Sequence, residues 1–298
     1  MRKDLPPATH EPVHPAGPDY SGQSVDLHCH STISDGVLTP DAIARRAAER
    51  GVTLWSLTDH DEVSGLPLAR QTAESLGMGF ISGVEVSVTW AGQTVHIVGL
   101  GIDDTNPVLL EGLRTTRAGR ADRARRIGEN LALLGMPGAF EGAATFAGNP
   151  ELISRTHFAR FLVQAGFCST VQSVFDRYLS DEGPAHVPMQ WARLESAVQW
   201  IHSAGGVAVI AHPGRYHYTP VQFGALFDTF KDLGGEAIEV VTGSHAPHQY
   251  AIYAQVARDY GLMASTGSDF HSPSESRHDL GSMPALPADL TPVWQSLV

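Results

Sequence analysis

Lysine is nearly missing from this sequence: Lys3 and Lys231 are the two present, against 15 histidines in 298 residues. A preference for arginine over lysine explains the first observation but leaves the histidines unexplained. Cysteine is equally scarce. Cys29 and Cys168 cannot build a disulfide framework or a thiolate cluster, and two free thiols fit a reducing compartment. No apolar run approaches the length of a membrane span, and the opening "MRKDLPPATHEPVHPAGPDYSGQS" lacks the apolar core of a signal peptide. We therefore expect a cytoplasmic protein with no membrane partner. Positive charge is also short. A net charge of -12 is the wrong sign for holding long duplex nucleic acid by neutralising phosphates, which points to small or end-bound substrates. Bound cations are left out of that balance and can make an acidic pocket locally positive.

What is present reads as a globular α/β chain, long enough for one large domain carrying an insertion. Residues 1–24 have repeated Pro and Gly without apolar periodicity, so we expect a mobile extension with His10 and His14 solvated. From Val25 to Pro107, short apolar runs alternate with amphipathic segments. "TPDAIARRAAERG" places Thr39 to cap a helix, Pro40 at its first position and Gly51 after its end. "GFISGVEVSVTW" and "QTVHIVGLG" suggest a hairpin across "WAGQ". Residues 108–190 carry helical patterns without strands and suggest an insertion or cap. Strand-then-helix alternation resumes over 191–298. That order predicts a largely parallel sheet with outer helices, closed into a barrel.

The chemistry gathers at strand ends. In "VDLHCHSTISDG", His28 and His30 share one side of a strand while Leu27 and Cys29 face the other. Two imidazoles so placed can chelate one ion, and two histidines at the wet end of a strand can also mean nothing more. The spacing recurs in "STGSDFHS" with Asp269 and His271. "LWSLTDHD" delivers His60, "VAVIAHPG" His212 and "TVHIVG" His96. Glu85 in "GVEVS" points away from its apolar neighbours. Singly, each has a plain structural reading, such as a packed histidine or half of a buried ion pair. Together they point to metal, because charged groups are seldom buried in a barrel unless paired or bound to an ion. Imidazole and carboxylate suit zinc, manganese or iron.

The ordered series "DLHCHSTISDG", "LTDHD", "GVEVS", "VHIVG", "AHPGRY" and "GSDFHS" resembles the PHP (polymerase and histidinol phosphatase) family of metal-dependent phosphoesterases. The resemblance implies a distorted (β/α)7 barrel holding two or three divalent ions. It places His28, His30, Glu85 and Asp269 around one ion, and Asp35, His60 and His271 around a second. Glu85 would bridge to a third held by His96 and His212. We expect hydroxide between the first two ions to attack phosphorus in line while the third orients and polarises the phosphate, with manganese the first choice of ion and iron or zinc the alternatives.

Within the family, "SRTHFAR" and the helical insertion look closest to the stand-alone branch acting on nucleotides. Members remove the 3′-phosphate of nucleoside 3′,5′-bisphosphates or trim RNA from its 5′ end. The expected partner is thus a small nucleotide, with the 5′ end of a short RNA as the alternative. Arg155 and Arg215 are placed to read a second phosphate with a planar fork. His157 has two readings, a packed histidine or a substrate contact. His245 reads either as a leaving-group acid or phosphate donor, or as a plain loop histidine. Arg160 and the run "RAGRADRARR" read as solvated. Metal-dependent amidohydrolases also begin with HxH, but many bridge their metals with a carboxylated lysine, which this chain lacks at any strand end. A noncatalytic metal-binding role is the remaining alternative.

Overall fold

The computed structural model describes residues 23–297. Most of the expected extension, His10 and His14 included, lies outside the described residues, and Ser24 already opens the first strand. Seven strands form one sheet in sequential order: β1 (Ser24–Asp26), β2 (Val52–Leu57), β3 (Gly79–Trp90), β4 (Gln93–Leu100), β5 (Val207–Ile210), β6 (Ala237–Thr242) and β7 (Met263–Gly267). All neighbours are parallel except that β4 runs against both β3 and β5. The reversal comes from "WAGQ". Ala91 and Gly92 take φ of 45° and 82°, which suits a tight two-residue hairpin.

Beyond Asp26 the chain runs beside the end of β7 and closes the barrel. Leu27 N donates to Thr266 O at 3.0 Å, Asp269 N to His28 O at 2.8 Å and His30 N to Phe270 O at 2.8 Å. The strand expected to continue through His30 therefore stops early, and its alternation breaks. Leu27 packs with Val25 and Leu54 inside the barrel, whereas Cys29 joins Trp55 and Leu57 in the layer beneath the outer helices. Leu27 and Cys29 do not share a face as the simple alternation predicts.

Ten helices are described: α1 (Pro40–Glu49), α2 (Leu66–Ser75), α3 (Pro107–Arg117), α4 (Arg120–Leu133), α5 (Ala139–Ala144), α6 (Arg155–Gln164), α7 (Val171–Val174), α8 (Leu194–Ser203), α9 (Pro220–Asp232) and α10 (Pro247–Tyr260). None is long and apolar enough to cross a membrane. Pro40 opens α1 and Gly51 follows its end at φ 80°, but Thr39 does not cap it. Its hydroxyl donates instead to Asp41 Oδ1 at 2.7 Å.

Besides the core inside the barrel, two apolar cores result. One lies between the barrel and its helices, and Leu109 and Leu113 of α3 belong to it. A second gathers Ile127, Leu131, Phe158, Leu162, Val174 and Leu179 from α4, α6, α7 and the turn after α7. Arginines expected to be solvated join the two bodies. Arg120 is buried, pairs with Asp61 and stacks 4.4 Å from the Trp191 ring, while Arg123 lies 5.4 Å from the same ring and donates to Val187 O at 2.8 Å. "RADRARR" is thus solvated on one side only. Helical spacing turns Arg120 and Arg123 inward together.

Candidate metal centre

The barrel interior is apolar at one end, where Val25, Leu27, Leu54, Ile81, Val98 and Trp294 pack together. Polar residues fill the other end, at the C-terminal ends of the parallel strands, where sites in such barrels form. β4 runs the opposite way, so His96 reaches that end from near the start of its strand. It shares a face with Val98 and Leu100 by the two-residue period. Backbone geometry aims two others. His212 has φ 27° and Asp269 φ 52°, a left-handed conformation that costs roughly 1–3 kcal/mol for a residue with a Cβ and tends to mark functional positions.

Glu85 sits at the centre, fully buried. Its Oε1 lies 2.9 Å from His96 Nδ1, 2.9 Å from His212 Nε2 and 3.3 Å from His28 Nε2. Its Oε2 lies 2.9 Å from His60 Nδ1 and 3.3 Å from His30 Nε2. Asp269 Oδ1 is 3.3 Å from His30 Nε2, and Asp35 Oδ1 is 3.3 Å from His271 Nε2. All nine expected ligands thus converge. They form four overlapping groups, His30–Asp35–His60–His271, His28–His30–Asp269, His28–Glu85–His212 and His60–Glu85–His96, in each of which the donor atoms lie within 4.8 Å of one another.

Several contacts are close without being hydrogen bonds. Among the buried atoms with no partner are His30 Nδ1, Asp35 Oδ1, His60 Nδ1, Glu85 Oε2 and His212 Nδ1. Burial makes unmet polar atoms costly, and cations among them would remove the cost. Burial favours neutral rings at His30 and His212 and pushes both down to about 3. Neutral imidazole is the form that binds metal. Burial opposes charge on His60 too, but Glu85 and Asp35 outweigh it and raise it to about 9. Glu85 would likewise be raised by burial, yet His96, His60 and His28 hold it well below the usual carboxylate range. The donor set fits divalent cations.

A second layer of polar groups holds these side chains. Glu239 accepts from His28 Nδ1 at 2.7 Å and from His212 N at 2.6 Å, joining two candidate ligands. Such partners orient metal-binding imidazoles. Asp59 accepts from Ser31 N and Ser34 N and from both of their hydroxyls, which fixes the turn leading to Asp35. Ser244 donates to Asp269 Oδ2. Glu239 is absent from the expected site, although a carboxylate inside the apolar strand "AIEVV" carries the same signal as Glu85.

The expected substrate residues fall in different places. Arg215 stands at the rim, with its side chain 54% exposed and one nitrogen 3.5 Å from Asp269 Oδ2. Arg155 bonds to Asp181 Oδ1 at 2.7 Å and Leu179 O at 3.0 Å, and none of its hydrogen bonds reaches a candidate ligand. His157 is buried; its Nδ1 accepts from Ser154 N at 3.0 Å and its Nε2 has no partner. His245 is buried as well, with Gly214 N donating to its Nε2 at 2.9 Å and its Nδ1 3.3 Å from Val240 O. Both ring nitrogens are thus taken by backbone. The geometry of His245 is that of a tie between β6 and the loop after His212, which leaves no free nitrogen for a substrate. Arg160 is 6% exposed rather than solvated, because it bridges Glu275 and Asp35 O.

Residues 26–233 match the PHP domain, and the chain belongs to that family. A 3′,5′-nucleoside bisphosphate phosphatase of Chromobacterium violaceum is 48% identical over 277 residues, covering 92% of this chain and 96% of that protein. The 5′-3′ exoribonuclease Rnm of Escherichia coli is 41% identical over 272 residues, covering 91% and 92%. A solved structure of an amidohydrolase from Chromobacterium violaceum, with bound sulfate and no metal, superposes with a TM-score of 0.89. It is 48% identical and covers 92% of this chain and 95% of its own.

Proposed function

We propose that this chain is a cytoplasmic, metal-dependent phosphoesterase that removes the 3′-phosphate of nucleoside 3′,5′-bisphosphates. The observation that carries the reading is the convergence of nine imidazole and carboxylate side chains on one buried centre, in a chain 48% identical to a phosphatase of that name. Divalent ions held there, manganese in our assignment and up to three of them, would neutralise phosphate charge and activate water. His28, His30, Glu85 and Asp269 would hold one; Asp35, His60 and His271 a second; His96 and His212 a third bridged by Glu85.

The chain's own groups divide the remaining work. His30 and His212 present neutral rings, and the carboxylates of Asp35, Glu85 and Asp269 stay ionised beneath them. Arg215 is the exposed cation at the rim and is suited to receive a phosphate oxygen with its planar fork. Arg155 is engaged by Asp181 and His157 is buried against Ser154 N, so we assign neither of them a contact with the nucleotide.

Trimming of RNA from its 5′ end is the second reading, favoured by the 41% identity to an exoribonuclease. Amidohydrolysis has less support despite the name of the related structure, because Lys231 lies on the outer helix α9 and cannot supply a bridging carbamate. The test is to incubate metal-stripped and manganese-loaded protein with a nucleoside 3′,5′-bisphosphate and, separately, with a 5′-phosphorylated short RNA. We expect inorganic phosphate from the bisphosphate, in the loaded sample only. Mononucleotides from the RNA, with the bisphosphate untouched, would replace our assignment with the second reading. Full turnover without metal would overturn both.

A further inference from the structure

Arg160 belongs to the helical insertion, yet its hydrogen bonds go to the barrel rim. Its Nε and one terminal nitrogen grip the Glu275 carboxylate at 2.9, 3.0 and 2.7 Å, and the other terminal nitrogen donates to Asp35 O at 2.6 Å. These two acceptors lie on separate loops. Asp35 follows β1, and Glu275 lies four residues after His271, beyond β7. Asp35 and His271 are themselves 3.3 Å apart and belong to one candidate ligand group with His30 and His60.

The same helix reaches Asp35 a second time. Ser154, the N-cap of α6, donates its hydroxyl to Asp35 Oδ2 at 3.2 Å. The loop bearing Glu275 is internally braced, with Ser276 Oγ accepting from His271 N at 2.8 Å and from Ser272 N at 3.1 Å. A pull on Glu275 is therefore transmitted to His271. A bidentate arginine fork also fixes orientation as well as distance, which a lysine at this position would not do.

We propose that Arg160 is a positioning residue through which α6 completes the ion subsite formed by Asp35, His60 and His271. Without the bridge the two loops stay joined by Val37 N donating to His271 O at 2.9 Å, but the Asp35 carboxylate and the His271 ring lose the brace that fixes them against each other, so affinity falls more at that subsite than at the ion of His28, Glu85 and Asp269. Linkage makes the effect reciprocal: an ion at that subsite holds α6 docked on the rim. This inference rests on the metal centre proposed above but not on the identity of the substrate.

The test compares wild type with Arg160→Gln and Glu275→Gln. Manganese bound per chain is measured by calorimetric titration, and protease cleavage within residues 154–187 is followed with and without manganese. Wild type should bind manganese and become more protected. Both variants should keep the tighter ions, lose about ten- to a hundredfold in affinity for one, and lose the metal-dependent protection. Glu275 is partly exposed, so Glu275→Gln remains decisive if Arg160→Gln does not fold. Unchanged affinities and protection in Glu275→Gln overturn the inference, whereas wild type that binds no manganese overturns the metal centre itself.

Discussion

His245 illustrates how burial turns a titratable side chain into structure. A histidine in water takes its proton near pH 6.5, and burial holds this one down to about 4. Between those values the unfolded chain binds the proton and the folded chain does not. Stability that is fully present above pH 6.5 is therefore lost as the pH falls toward 4, by at most about 3 kcal/mol for this residue. Denaturant unfolding from pH 7 to pH 4.5 should show wild type losing more stability than His245→Gln, whose side chain cannot titrate. Parallel profiles would contradict the assignment. The nine side chains that converge on the candidate centre are legible in the sequence as a set, since acid and imidazole recur together at strand ends. What each touches is less legible. No local pattern announces that "SRTHFAR" turns Arg160 toward Glu275, 115 residues away, or that φ 27° re-aims His212.

At the scale of elements, the fragile place is the seam between β1 and β7, because the candidate ligands His28, His30, Asp269 and His271 flank it. Gly267 ends β7 against the segment that carries His28. A Cβ added there would lie 2.4 Å from His28 Cβ and 2.6 Å from its backbone nitrogen, closer than atoms in real proteins approach. Its neighbours are backbone and a branching carbon that cannot swing aside. Gly267→Ala should therefore cost about 1–3 kcal/mol of stability or more, and it should weaken manganese binding by displacing His28. Chemical denaturation and metal titration of the variant check both effects; wild-type values in each would show that the seam yields. The helix–strand order and the "WAGQ" hairpin are readable because periodicity and turn chemistry are local. The early end of β1 is not, because the segment after Asp26 takes its bonds from β7, more than 230 residues away.

At the scale of the molecule, charge sets the limit on what the centre can serve. The chain carries a net charge of -12, and much of its arginine is already committed. Arg120 is paired with Asp61, Arg155 with Asp181, Arg160 with Glu275 and Arg46 with Asp279. Arg125 and Arg126 stay exposed on α4 but lie among Asp122 and Glu129, so little continuous cationic surface is left to follow a polynucleotide beyond the rim, where Arg215 stands. Binding long RNA would require each added phosphate to meet a cation, and affinity would then fall steeply with salt, by a power close to the number of phosphates neutralised. We therefore expect the affinity of manganese-loaded wild type for 5′-phosphorylated RNA with cleavage-resistant phosphorothioate linkages to level off within the first few nucleotides. The slope of log affinity against log salt should correspond to about one or two phosphates at every length. Fluorescence anisotropy with RNAs of increasing length measures both quantities. A steady gain in affinity with length, and a slope that grows with it, would mean that the helical body carries a track for RNA and would favour the exoribonuclease reading. A flat response means that the negative body repels the rest of the chain while the metal centre draws in one phosphorylated end.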